Sequence, residues 1–318
     1  MTADSSVVFK IMPVVLLIAF GAALKKRNFL SKEAVAGMKK LVLNFSLPCL
    51  IFLTFLRSDI KPEYFVISTV VFASCSAALS LGFLFKRLQR SANQFYPSVF
   101  SSFTTGLVGY PLFTAVFGAE QLYKLAILDI GNLVFIFTVL TNFLQKVSCE
   151  FSGIKKLSLK EQLIGMLKSP LLVGAALGIA ASLSGHSQQL QSNPLSSALI
   201  AAVSLISSLS VPLTLIIIGQ DLNFSLRNFL KPASAVLLRM AVMLSAAWLL
   251  NTYVVEGMLG LDRMFQVALY TLFILPPTFL IPVYIEGDCE EKGFVVNFFS
   301  IHIVFTLAAF VILTVIIG

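Results

Sequence analysis

Asp129 and Asn132 lie three residues apart in an apolar stretch, which puts a carboxylate and an amide on one helix face. An ionisable side chain inside such a stretch costs roughly 2.5–3.5 kcal/mol on membrane-insertion scales and is read by default as functional. It can bind or exchange a charged solute or a proton; equally, it can cap unpaired N–H groups of a neighbouring interrupted helix. Asn132 has a counterpart in Asn297, 165 residues later. Each amide offers donors and acceptors, either to orient a carboxylate or to tie helices together. His302 is a second candidate proton carrier near neutral pH, with interhelical hydrogen bonding as the plainer reading. Arg239 sits about eight residues above one end of its stretch, roughly 12 Å at helical rise, and is expected to snorkel to the inner headgroups. Lys10 is expected to snorkel outward, and Glu286, Asp288, Glu290 and Glu291 to form a solvated inner loop.

Glycine and proline supply the second signal. One apolar stretch reads Phe103-Thr104-Thr105-Gly106-Leu107-Val108-Gly109-Tyr110-Pro111, and another holds Pro276-Pro277 followed by Thr278 and Pro282. An interior proline removes one backbone hydrogen bond and clashes with the preceding turn, at about 3 kcal/mol or more, and the two glycines loosen the helix further. Each stretch is therefore expected to be two half-helices, the second starting near Pro111 and near Pro277. Simple proline kinks are the alternative. Half-helix starts present free N–H groups and positive dipole ends, a ready anion site. Thr104, Thr105, Gly106, Gly109, Pro111, Asp129, Asn132, Pro276, Pro277, Thr278 and Asn297 are the candidate binding residues, with Asp129 and His302 as candidate proton carriers.

What must position these residues is a bundle of membrane-spanning helices. Of the 318 residues, 58% are hydrophobic and only 12% charged. Soluble domains carry about 25% charged residues, and lipid can absorb apolar surface that no single core could. Apolar runs near 7–24, 41–56, 64–85, 96–117, 124–144, 170–184, 195–219, 232–254, 264–285 and 294–317 give about ten segments, numbered 1 to 10 below. The loops after segments 1, 3, 5, 7 and 9 hold 17 of the 23 Lys and Arg residues, against five on the other side. The positive-inside rule then places both termini outside, in a multi-pass protein. That asymmetry accounts for the net charge of +8 without a nucleic-acid partner. The basic cluster Lys25-Lys26-Arg27 follows segment 1, so segment 1 reads as a retained helix and not a cleaved signal. The four cysteines, Cys49, Cys75, Cys149 and Cys289, have no metal-ligand spacing and no disulfide framework. Hydrolase, metalloprotease and nucleotide-binding motifs are missing from the sequence, and no cofactor or metal is expected.

A lag of about 165 residues pairs Pro48 with Pro212, Pro111 with Pro276, and Asn132 with Asn297. Each pair falls at the same place in two successive groups of five segments, 1–153 and 154–318. An odd number of spans inverts the second copy, and inverted repeats with paired interrupted helices are a signature of secondary transporters.

Met12-Pro13, Asn44-Phe45-Ser46-Leu47-Pro48-Cys49-Leu50-Ile51-Phe52, the Gly106/Gly109/Pro111 run, Asp129-Ile130-Gly131-Asn132, Pro212 through Gly219 with Leu222, and Tyr284 to Asp288 together resemble the auxin efflux carrier family. That family includes plant auxin exporters and bacterial carriers of malonate and other organic anions. The resemblance covers both halves of the chain. It implies ten helices in two inverted five-helix repeats, with segments 4 and 9 crossing at the substrate site. It also implies a scaffold of segments 1, 2, 6 and 7, against which a transport unit of segments 3–5 and 8–10 moves. Family members commonly carry an asparagine seven residues before the segment 4 proline; Thr104 stands there in this chain. The short loop between segments 5 and 6 points to a bacterial inner-membrane member. The expected function is secondary transport of small organic anions, with the lipid bilayer and a second copy of the chain as further partners. A cation/proton exchanger using Asp129, and a membrane sensor that binds without transporting, are the alternatives.

Overall fold

A computed structural model of the chain describes residues 3–58, 61–152, 158–184, 194–221, 230–285 and 290–317. Among them every regular element is helical and none is a strand. The expected boundary at 153/154, the acidic pair Glu286 and Asp288, His186 and Cys289 fall outside the described residues, as do the side chains of Lys10 and Cys149.

Seven helical stretches are long and apolar enough to cross a membrane unaided: Lys32–Leu56, Tyr64–Leu88, Tyr96–Phe117, Ala119–Ser148, Pro194–Asp221, Leu230–Glu256 and Glu290–Ile316. They correspond to segments 2, 3, 4, 5, 7, 8 and 10. Segment 6, Pro170–Leu183, follows the short helix Leu159–Leu167 with a bend of 61°, and this pair would make an eighth. The count of ten then rests on segment 1, helical over Ala3–Lys26, and on the interrupted segment 9.

Local signals set several helix starts. Ser31 accepts the Ala34 N–H at 3.1 Å, capping the amphipathic helix Lys32–Leu41 that leads into segment 2. Ser158 and Glu161 form a reciprocal capping box at the start of Leu159–Leu167. Asp262 caps segment 9 by accepting from the Phe265 N–H at 3.0 Å. It also takes the Lys124 ammonium of segment 5 at 2.5 Å, which ties the two segments at that end. At the other end of the bundle Lys39 and Asp221 pair at 2.7 Å, between segments 2 and 7.

Segment 1 packs against segment 7, and segment 2 against segment 6. Segment 3 lies along segments 4 and 5, while segment 8 lies along segments 9 and 10. Segments 3 and 5 meet backbone to backbone. A Cβ on Gly131 would sit 1.9 Å from the Ser68 carbonyl oxygen, so glycine is obligatory there. The Ser68 hydroxyl also donates to the Ile127 carbonyl at 2.6 Å. This contact fixes the rotation of segment 5 and buries Asp129 and Asn132.

Candidate functional site

Segment 4 is broken, but not where its glycines and proline suggest. A short 3-10 helix, Tyr96–Phe100, ends at Ser101, and residues 101–104 are non-helical. A π-helical turn, Thr105–Gly109, then runs into the helix Tyr110–Phe117. Pro111 is therefore the second residue of its helix instead of the breakpoint. The wide turn before it draws the preceding carbonyls away from the pyrrolidine ring, so the proline is accommodated without a break. The glycines serve packing: a Cβ on Gly109 would stand 2.6 Å from Leu275 of segment 9. Segment 9 is helical over Arg263–Phe273, opens through Pro276-Pro277-Thr278, and resumes only as the short turn Ile281–Tyr284. The expected second α-helical half starting near Pro277 is not found among the described residues. Pro277 disfavours α-helical backbone at Pro276, the residue before it.

The two interruptions bond to each other. Thr104 donates its N–H to the Pro276 carbonyl at 2.8 Å and its hydroxyl to the Pro277 carbonyl. The Thr278 N–H donates to the Ser102 hydroxyl at 3.2 Å. Beside them, Asn132 replaces the missing helical partners of Phe103. Its Oδ1 accepts the Phe103 N–H at 3.1 Å and its Nδ2 donates to the Phe103 carbonyl at 3.0 Å.

Asp129 completes this cluster and is 1% exposed. One carboxylate oxygen accepts from the Thr105 hydroxyl at 2.5 Å and from Asn132 Nδ2 at 2.8 Å; the other accepts from the Tyr110 hydroxyl at 2.7 Å. The carboxylate thus faces the start of the second half of segment 4, through two of its side chains. Negative charge is favoured at that position by the helix dipole.

Arg239 of segment 8 lies at the opposite helix ends. The expectation that it snorkels to the headgroups is wrong: it is wholly buried. Its guanidinium donates to the carbonyls of Val99, of Ser102 at 2.7 Å and of Leu275 at 3.2 Å, and it lies 5.5 Å from the Phe103 ring centre. Those carbonyls close the first halves of segments 4 and 9. A planar group with five donors satisfies three such acceptors at once, and it places positive charge at negative dipole ends.

The membrane transport protein family model matches residues 6–285 of the chain. The chain belongs to this auxin efflux carrier-like family. It is also similar to an uncharacterized transporter of Methanothermobacter thermautotrophicus, 26% identical over 225 residues, with 67% of each chain covered.

In this membrane transport family member, then, the interruptions of segments 4 and 9 adjoin Asp129 and Asn132. Gly106 is half-buried beside Leu43 and Leu47 of segment 2 and Leu171 of segment 6. Asn297 is half-buried on the helix Glu290–Ile317. His302 is buried one layer away. Its Nδ1 lies 3.1 Å from the Thr306 hydroxyl, which donates to the Ile274 carbonyl at 2.6 Å. Because Thr306 spends its hydrogen on Ile274, it accepts from His302, and Nδ1 carries the proton. Sequence reasoning misassigned Arg239 and missed Tyr110 and Ser102 as site residues. For Tyr110 a signal existed: a buried phenol beside a break requires a partner.

Proposed function

We propose that this transporter carries small organic anions, carboxylates such as malonate or auxin-like acids, by alternating access of the elevator type. The observation that carries this reading is the meeting of two interrupted segments at Thr104. Non-helical backbone at membrane depth persists only where it is buried in protein or lines a cavity, and paired broken helices mark transporter binding sites.

The preference for an anion rests on two features. The half-helix that starts at Thr105 has first-turn N–H groups without intrahelical acceptors. Close by, Arg239 is a buried cation that bonds neutral carbonyls and no carboxylate among the described residues, and its Nε–H has no acceptor there. A carboxylate that has left water needs such donors. Thr104, Thr105, Asn132, Thr278 and Asn297 are the polar side chains proposed to help. Asp129 supports the exchanger alternative less well, because a cation would have to displace Thr105 and Tyr110 from it.

The proposed architecture is ten segments in two inverted repeats, with segments 1, 2, 6 and 7 as scaffold and segments 3–5 and 8–10 as the moving unit. Packing supports it. Exchanging each segment with the one five later turns the 1–7 contact into 6–2, the 3–5 contact into 8–10, and the 3–4 contact into 8–9. Two copies of one five-helix unit produce such a pattern. Both termini are proposed to face outward across a plasma membrane.

The test is calorimetry on purified protein, comparing a carboxylate with its neutral amide analogue. The carboxylate should bind, with an affinity between about micromolar and millimolar, and the amide should not. Equal binding of the two, or preference for a cationic ligand, would reject the anion site and favour the exchanger.

A further inference from the structure

At the bundle end where Lys and Arg concentrate lies a cavity of ≈ 220 Å³, between the end of segment 3, the start of segment 4 and the first residues of segments 8 and 10. It is smaller than the sites that enclose drug-sized ligands, with room for a polar head and none for long apolar chains. Two cations, Arg90 and Lys231, and two carboxylates, Glu290 and Glu291, line it, and none of the four forms an ion pair among the described residues. Tyr96 forms part of the wall. It is 1% exposed, and its hydroxyl has no hydrogen-bond partner among the described residues. A buried orphan hydroxyl costs stability unless a ligand or water completes it. The walls are fixed to each other, since Asn93 Nδ2 donates to the Glu291 carbonyl at 3.3 Å. Arg90 stands at φ 47°, in left-handed backbone that closes segment 3: its N–H donates to the Arg87 carbonyl at 3.1 Å, and the Ser91 N–H to the Lys86 carbonyl at 3.0 Å. Glycine is the ordinary residue at that cap, so an arginine there carries a backbone cost of the kind found at ligand clamps.

We infer that this cavity holds the head group of an inner-leaflet phospholipid that carries a primary ammonium beyond its phosphate, as phosphatidylethanolamine does. The phosphate takes Arg90, Lys231 and the Tyr96 hydroxyl, and the ammonium takes Glu290 and Glu291. The charge pattern selects the class. A simple anion meets two carboxylates and a simple cation meets two basic groups, each a repulsion in a confined space, whereas a zwitterion satisfies both pairs. A primary ammonium also donates three hydrogens, which a choline head lacks. A lipid can enter from the side. Leu88 and Leu230, next in sequence to the lining residues Gln89 and Lys231, are exposed, and the acyl chains lie against them. The leaflet follows from the proposed sidedness. The walls come from segments 3, 4, 8 and 10 and their ends, all in the proposed moving unit, so the lipid travels with that unit. The inference concerns the bilayer, and it stands whatever solute the transporter carries.

The test is native mass spectrometry of full-length purified protein in detergent, titrated with phosphatidylethanolamine, phosphatidylcholine or phosphatidylglycerol of the same chains. Glycerophosphoethanolamine, which is the head without chains, is titrated alongside. Wild type should bind one phosphatidylethanolamine about tenfold more tightly than either other lipid, the scale of one charge-assisted hydrogen bond. Arg90→Gly should weaken that binding about tenfold, and Tyr96→Phe severalfold. Glu290→Gln combined with Glu291→Gln should remove the preference over phosphatidylcholine. Melting separates these effects from misfolding. In phosphatidylcholine alone, Arg90→Gly relieves the left-handed backbone and Tyr96→Phe removes an orphaned hydroxyl, so both should melt no lower than wild type. Adding phosphatidylethanolamine should then raise the melting temperature of wild type more than theirs. Equal binding of the three lipids, or full preference retained in Arg90→Gly and Tyr96→Phe, would overturn the site. Glycerophosphoethanolamine that binds as tightly as the lipid would overturn the lipid assignment in favour of a soluble zwitterion.

Discussion

Two buried charges hold this site together without touching each other's polar partners. Arg239 serves three backbone carbonyls, and Asp129 serves two hydroxyls and an amide. Each orphaned buried group costs about 1–3 kcal/mol, so truncating Arg239 should be far more damaging than a surface change. Arg239→Met is expected to lose roughly 3 kcal/mol or more of stability, read as a lower melting temperature in detergent, and Arg239→Lys should recover only part of it. A melting temperature unchanged in Arg239→Met would show that the carbonyls find other donors. Asp129→Asn keeps the side-chain size but turns one acceptor into a donor. It should impair transport while the protein still inserts, and coupling to Tyr110→Phe in a double-mutant cycle should show that the two act as one unit. Full activity of Asp129→Asn across pH would reduce the carboxylate to a structural part.

At the level of elements, the apolar runs were readable in sequence, because lipid demands long helices. The position of the segment 4 break was not. Gly106, Gly109 and Pro111 draw attention to residues 106–111, yet the chain opens at 101–104. There the Asn132 amide accepts from and donates to Phe103, and the Pro276 carbonyl accepts the Thr104 N–H, in place of helical partners; both come from other segments. Arg239 was misjudged for the same reason: the carbonyls it serves exist as acceptors only after two segments have broken side by side. Two substitutions separate these effects. Pro111→Ala should leave the break in place and change stability by no more than about 1 kcal/mol, since proline is tolerated in a first helical turn. Thr104→Val removes the hydroxyl donated to Pro277 and should loosen the junction, seen as faster hydrogen exchange around residues 103–105. The reverse ranking would return the breakpoint to Pro111.

For the molecule as a whole, the proposed architecture is a chain folded twice over in opposite senses across the bilayer. Sidedness then has a direct check. Cysteine placed at exposed Glu120 should react with an impermeant reagent in intact cells, and cysteine at exposed Lys160 only after the membrane is opened. The opposite result would invert the molecule. In sequence the proposed repeat rests on three residue pairs at one lag, and in the structure its support comes from which segments pack together. The central claim, a carboxylate carrier working through the junction of segments 4 and 9, is tested most directly by counterflow in proteoliposomes. Wild-type protein should take up a labelled small carboxylate saturably. Unlabelled carboxylate should compete, its neutral amide should not, and Thr104→Val should slow uptake without lowering the amount of inserted protein. Uptake no faster than in protein-free liposomes, across a panel of mono- and dicarboxylates, would contradict the account.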